Sequence, residues 1–414
     1  MIPLREHSAL TAPDVAHLLR PGTLRLPVLP PLALYVHFPW CVRKCPYCDF
    51  NSHEAAGGVD AAVEQRYLDA LRADLDAALP LIWGRRVSTI FFGGGTPSLM
   101  SAAAVERLLS DLRARLPLEA DCEITLEANP GTFEAAKFTA FRAAGVNRLS
   151  IGVQSFDDRQ LDRIGRIHDR AQALAAIEAA ARQFDNFNLD LMYALPGQSV
   201  DDMRADVEIA LGFAPPHLSL YQLTVEPNTV FAKYLPALPD EDTAAAMHEW
   251  IEDRLEAAGC RHYEVSAYAR PGRQCRHNLN YWQFGDYLGI GAGAHSKISF
   301  PQRILRQSRL RQPASYMNGA LRGAALAESN EVPRAELGFE FMLNALRLND
   351  GLPARLFTER AGMPMSAIEV ALRKAEDRGL MTADFERFRP TPLGQRFLSD
   401  LQALFLPSHH GGAS

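Results

Sequence analysis

The chain has 414 residues, 47% of them hydrophobic and 22% charged, with 43 lysines and arginines against 49 aspartates and glutamates. That is an ordinary globular composition, and a net charge of −6 argues against a nucleic-acid binder, which presents a basic face. No apolar run reaches the length of about 18 residues that spans a bilayer, and the first residues lack a basic segment followed by an apolar core, so we expect no membrane span, no signal peptide and a cytoplasmic location.

Residues 1–31 carry prolines at 3, 13, 21, 27, 30 and 31 and read as a loose N-terminal arm. A rhythm then begins. Strands are expected at 32–38 (LALYVHF), 88–94, 122–129, 148–155, 187–195 and 217–225. Helices are expected at 60–79, about 101–115, 133–143, in segments up to 183, at 200–212 and at 240–258. Six strand–helix units predict a parallel sheet, built as an incomplete (β/α)6 barrel over 32–270 rather than a closed eightfold one. Residues 271–329 read as a connecting region of loop and short strand, from HNLNYW (277–282) to four arginines at 303, 306, 309 and 311 taken as a solvated hairpin face. Residues 330–405 alternate short helices with a small strand pair and predict a C-terminal winged-helix-like α+β module, followed by a tail at 406–414.

Cys41, Cys45 and Cys48 fall within eight positions as C-x3-C-x2-C, directly after the first strand. Functional residues of such sheets sit at the C-terminal strand ends. Six cysteines in a cytoplasmic chain are metal ligands, catalytic groups or buried thiols before they are disulfides. Structural zinc wants a fourth ligand, for which His37, Asp49 and His53 are nearest. A redox pair Cys45–Cys48 would leave Cys41 over. Three thiolates also suit an iron–sulfur cubane with one iron open to an amine and a carboxylate, such as the methionyl end of S-adenosylmethionine.

This motif resembles the radical-SAM signature, and its companions extend the resemblance over nearly all of 32–400. The resemblance implies a 4Fe–4S cluster on Cys41, Cys45 and Cys48. It puts Gly94, Gly95 and Thr96 of FFGGGTPS along the methionyl amino group, and Glu127 of LEANP facing the cofactor. Gln154 and Asp190 would take the ribose, Arg166 the carboxylate, Tyr35 a cofactor contact and Tyr47 a backbone contact to adenine. Asp190 inside an apolar strand needs a polar partner in any case.

Within the superfamily the chain looks closest to the HemW-like heme chaperones, relatives of oxygen-independent coproporphyrinogen III oxidase. Phe50 stands where the oxidases have a fourth cysteine, the N-terminal region is short, and HNLNYW matches a chaperone motif associated with heme. A histidine is a usual axial ligand, so His277 would ligate, Asn278 would orient it, and Tyr281 and Trp282 would edge the porphyrin. Cys275 and His295 are rival ligands, while Cys122 and Cys260 read as buried thiols. The expected function is therefore a heme chaperone binding heme, a 4Fe–4S cluster and S-adenosylmethionine and delivering heme to respiratory or storage hemoproteins, without a catalytic residue of its own. The alternative is the oxidase reaction, decarboxylation of coproporphyrinogen III to protoporphyrinogen IX. A DNA-binding tail is disfavoured, because RAELGFEFMLNALRL lacks phosphate-binding charge. The reading allows a homodimer and a peripheral membrane contact.

Overall fold

A computed structural model describes residues 22–131, 136–384 and 386–407. One 12-stranded sheet dominates it. In chain order its strands are β1 (Leu32–Phe38), β2 (Val87–Gly94), β3 (Leu118–Ala128), β4 (Arg148–Gln154), β5 (Phe187–Tyr193), β6 (His217–Gln222), β7 (Arg261–Glu264), β8 (Ala267–Ala269), β9 (Asp286–Ile290), β10 (His295–Phe300), β11 (Arg303–Arg309) and β12 (Leu326–Glu331). They lie in the order β12-β11-β10-β9-β1-β2-β3-β4-β5-β6-β8-β7. From β9 to β6 all neighbours pair in parallel, and both flanks are antiparallel. Among the described residues the sheet has two free edges, so the barrel is incomplete, and the expected six strand–helix units are present.

Local sequence explains the helices. Asp60, Ser101, Asp169, Ser199 and Asp240 each cap a helix by accepting a backbone N–H, Asp169 and Ser199 within reciprocal capping boxes. β1 is buried at nearly every position, as a parallel strand covered on both faces should be. The helix expected at 133–143 is described as Phe138–Ala144, ended by Gly145 at φ 115°; residues 132–135 lie outside the described residues.

Three expectations change. First, HNLNYW is not loop. Residues Arg276–Trp282 form a helix, and β9 follows as a seventh parallel strand beside β1. The helix start has no side-chain cap from its own sequence; the Glu123 carboxylate of β3 accepts the Arg276 and His277 N–H groups instead, at 3.0 and 3.3 Å. Second, of the four arginines expected on a solvated hairpin face only Arg311 is exposed. Arg309 is 2% exposed and pairs with Asp74 of helix Ala61–Ala78 at 3.2 Å. Arg303 is buried, and Arg306 reaches Glu340 and the Tyr287 hydroxyl. Third, the end of the N-terminal arm is a fixed strap. Leu24 and Leu26 are buried among the apolar residues of the C-terminal module, with Leu24 and Leu26 N–H groups on the Gln302 and Pro301 carbonyls. The remainder of the arm, 1–21, and 408–414 of the tail lie outside the described residues.

The C-terminal module packs helices around a three-stranded sheet of Leu352–Pro353, Arg387–Pro390 and Met381–Ala383. Its helices Arg355–Ala361 and Glu369–Asp377 precede the hairpin Met381–Pro390, the layout of a winged helix. Phe284, from the turn before β9, and Ile304 of β11 enter its core, so module and barrel share one apolar seam.

Candidate functional site

At the C-terminal ends of β2 to β6 the sheet opens into a cavity of about 400 Å³. The loop after β1 roofs one side of it. That loop is pinned by a two-residue parallel bridge between Trp40–Cys41 and His53–Glu54, and Lys44 donates to the Phe50 carbonyl at 2.9 Å. Gly95 fits only because it lacks a side chain: a Cβ there would come within 2.5 Å of the Trp40 carbonyl oxygen.

Cys41, Cys45 and Cys48 all line this cavity, half-buried. Each sulfur has a polar neighbour: Thr96 Oγ1 at 3.5 Å from Cys41, the Arg166 guanidinium at 3.6 Å from Cys45, and Ser52 Oγ at 3.7 Å from Cys48. Burial pushes the Cys41 and Cys48 thiols up, against those hydroxyl donors. Among the described residues no three His, Cys, Asp or Glu side chains converge to hold one metal ion. A mononuclear site needs its ligands gathered on one ion, whereas a cubane offers each thiolate a different iron. His37, a candidate fourth zinc ligand, lies beneath Gly94 with its nitrogens on the Tyr35 hydroxyl and the Asn51 carbonyl.

Of the remaining expected residues, Tyr47, Gly94, Gly95, Thr96, Glu127, Gln154, Arg166 and Asp190 all face the same cavity. Tyr35 does not. It sits below, stacked on Phe91 and bonded to His37. Gln154 occupies φ 67°, at a break in the β4–β5 register, and is turned into the cavity by that kink. Arg166 has one nitrogen on Asn129 Oδ1 (2.6 Å) and the Gly152 carbonyl (2.8 Å), and its Nε is buried without a partner. A buried guanidinium held by neutral groups is ready for an anion.

Two carboxyls share this cavity. Burial, then the neighbouring Asp190, raises the Glu127 carboxyl to about 8. Burial likewise raises Asp190, against donors on Asn188 and Ser150. Two desolvated carboxyls and one guanidinium in a single cavity suit a ligand that carries both a carboxylate and cationic centres. This is the charge pattern of S-adenosylmethionine, so the residues fit the group.

Sequence reasoning missed Asn129, Ser150, Tyr221, Glu226 and Arg43, which also line the cavity. Asn129 ties Thr96 to Arg166 at 3.0 and 2.6 Å. Its place two residues after Glu127, at a strand end, was the available signal.

HNLNYW lies elsewhere, against the N-terminal halves of β2 and β3. His277 is 7% exposed, its Nδ1 2.9 Å from Thr89 Oγ1 and its ring 5.0 Å from Phe91. Burial, then Arg148, lowers it to about 3, so it is neutral. Tyr281 stacks on Tyr287, and Trp282 lies under Arg347. Asn278 is half-buried. In this conformation the His277 ring is committed to packing and not free for an axial position. Cys275 is buried, and His295 is exposed at the start of β10. Cys122 and Cys260 are buried thiols, as expected. Among the described residues no helix is long and apolar enough to cross a membrane.

Comparison with known proteins identifies the family. The Radical SAM superfamily matches residues 35–210, and the HemN C-terminal domain matches 332–397. A protein of Escherichia coli (strain K12) named heme chaperone HemW is 48% identical over 380 residues, 91% of this chain and 99% of the relative. A protein of the same name from Haemophilus influenzae is 44% identical, over 92% and 99%. A mouse protein, radical S-adenosyl methionine domain-containing protein 1, mitochondrial, is 37% identical over 91% and 87%. Among solved structures, coproporphyrinogen III oxidase (HemN) from Escherichia coli superposes with a TM-score of 0.77 over 95% of this chain and 99% of that one, at 22% identity, a likeness of fold. With relatives this similar along nearly its whole length, the chain belongs to the radical SAM superfamily and, within it, to the family of the heme chaperone HemW.

Proposed function

We propose that this chain is a heme chaperone that carries a 4Fe–4S cluster on Cys41, Cys45 and Cys48, binds S-adenosylmethionine in the cavity beside it, and passes heme to client hemoproteins. The observation that carries the reading is the near-full-length identity to relatives named heme chaperone HemW. When bound, the cluster and S-adenosylmethionine supply one-electron chemistry. The chain's own residues bind and orient. Arg166, aimed by Asn129, offers paired donors to a carboxylate. Glu127 faces the cationic portion and Asp190 the ribose, and Thr96 and Ser52 offer hydrogen bonds to sulfur, one of the levers on a cluster's potential.

This arrangement has a pH signature. Glu127 titrates near 8 in the free chain and accepts a cation only once deprotonated. Affinity for S-adenosylmethionine is therefore expected to rise from pH 6 to 8, with the Glu127 contribution approaching about tenfold per unit at its steepest. The ligand amine titrates in the same range, so the comparison is with Glu127→Gln. Calorimetry in two buffers of different ionisation heat should find that the variant releases fewer protons on binding and has a shallower profile. Equal proton release would remove Glu127 from the cation-facing wall.

The heme-facing segment in this reading is the helix bearing His277, Asn278, Tyr281 and Trp282. Because His277 packs against Thr89 and Phe91, ligation requires that helix to part from β2. The test is an anaerobic heme titration of the cluster-reconstituted chain, following the Soret band, with coproporphyrinogen III turnover assayed in the same samples. We expect saturable one-to-one binding without turnover, and His277→Ala weaker by at least about tenfold, the scale lost even on removing an outer-shell partner of a metal ligand. Undiminished binding by His277→Ala would assign that histidine to packing alone, and turnover of coproporphyrinogen III would sink the chaperone reading.

A further inference from the structure

Beneath the cavity floor runs a file of buried polar groups that the cofactor contacts do not use. Asn188 Nδ2 donates to Asp190 Oδ1 at 2.8 Å and also to Ser150 Oγ at 2.7 Å. That fixes the amide: its oxygen faces away from the carboxylate and lies 2.6 Å from His217 Nδ1. The imidazole must then carry its proton on Nδ1. Burial, then the Arg148 charge, keeps the ring neutral, so Nε2 is an acceptor. It lies 2.8 Å from the Tyr263 hydroxyl, which donates to it and in turn accepts the Cys275 N–H at 3.2 Å.

Every donor in this file points the same way. The N–H of Cys275 gives to Tyr263, Tyr263 to His217, His217 to Asn188, and Asn188 to Asp190. Aligned donors polarise one another in a low-dielectric interior. The file begins at the residue preceding helix Arg276–Trp282 and ends on a carboxylate of the cavity. A second link runs beside it. Arg148, 2% exposed with its Nε unpartnered, lies in the field of both Asp190 and Glu123, and Glu123 is the carboxylate that accepts the first N–H groups of the same helix.

We propose that this one-way file couples the cavity to helix Arg276–Trp282: a ligand hydroxyl held on Asp190 tightens the start of the helix, and displacement of the helix loosens the hold of Asp190 on the ligand. Tyr263 and His217 are positioning residues, acting on the ligand only through Asn188 and Asp190. The inference rests on the reading that S-adenosylmethionine seats its ribose on Asp190, and it makes the helix a reporter of cavity occupancy. Linkage requires the effect to run both ways by the same factor.

The test is hydrogen exchange of the full, cluster-reconstituted chain with the cluster oxidised, with and without S-adenosylmethionine, read by mass spectrometry on peptides covering 275–284. Equilibrium dialysis of the same samples reports binding independently. We expect S-adenosylmethionine to slow exchange there by about fivefold or more, the lower end of coupling between sites. Tyr263→Phe, which keeps the ring and removes the relaying hydroxyl, should still bind S-adenosylmethionine in dialysis but lose most of that slowing. Binding without any change at 275–284 in the wild-type chain overturns the coupling, whether or not the variant folds. An equal change in a folded Tyr263→Phe overturns the route. No retention of S-adenosylmethionine in dialysis would instead bring down the reading of the cavity, and this inference with it.

Discussion

Replacing Cys48 with alanine should abolish the iron–sulfur chromophore while leaving the chain folded. A cubane needs its thiolates, and three is already one fewer than the usual complement. With Cys48 gone, only Cys41 and Cys45 remain in the loop. Iron retained after anaerobic reconstitution and desalting should fall from about four per chain to well below one, and the same holds for Cys41 and Cys45. Stability should barely move, because the loop is half-exposed and held by Lys44 and the Trp40–Cys41 bridge rather than by the sulfur. The shift should stay within about 1 kcal/mol, as for other substitutions away from the core. Cys122→Ala is the control: its thiol belongs to β3 outside the cavity, so full iron content is expected. A cluster that survives in Cys48→Ala would refute the three-thiol assignment.

The largest effect on stability is expected at Asp286, the first residue of β9. It is fully buried and holds Lys297 Nζ at 2.9 Å, an Arg85 nitrogen at 2.8 Å, and the backbone N–H and hydroxyl of Ser299 at 2.9 and 2.7 Å. Lys297 is itself 1% exposed, above the ring of Phe284. Asp286→Ala leaves that ammonium buried and unpaired, a loss of about 3–5 kcal/mol when one partner of a buried pair is removed. A Lys297→Met change made on top of it should recover part of the loss, since an apolar pair of similar volume can substitute for buried ions. Urea midpoints of the two variants decide this; a drop below about 1 kcal/mol in Asp286→Ala would place it with ordinary surface changes.

The parallel strands were legible because strands buried on both faces read as continuous apolar runs, and because local side chains cap the helices between them. The loop motif and its companions were legible as short patterns, and all but Tyr35 converge on one cavity. The region after 270 was not legible, for two physical reasons. Helix Arg276–Trp282 takes its cap from Glu123, more than 150 residues away, a contact without local trace. Strand β11 carries charges whose partners, Asp74 and Glu340, belong to other elements, so a buried strand looks like a solvated one. The same holds inside the barrel: nothing in the pattern around Arg148 or His217 says that they are buried, because charge burial is decided by what the tertiary fold brings alongside.

The position of β1 has a consequence for biosynthesis. It is the first strand among the described residues, yet one of its two neighbours, β9, lies roughly 250 residues downstream. At the usual pace of translation, about 5–20 residues per second, one edge of β1 stays unpaired for on the order of ten seconds or more on the ribosome. The loop with Cys41, Cys45 and Cys48 hangs from that strand, and Asn51 anchors it to the carbonyls of Ala292 and Arg311, which are made later still. The three thiols are thus accessible from several sides before their wall is complete. Nascent chains stalled before and after residue 311 should differ in how fast those thiols react with a maleimide, and that interval is a natural window for loading iron and sulfide.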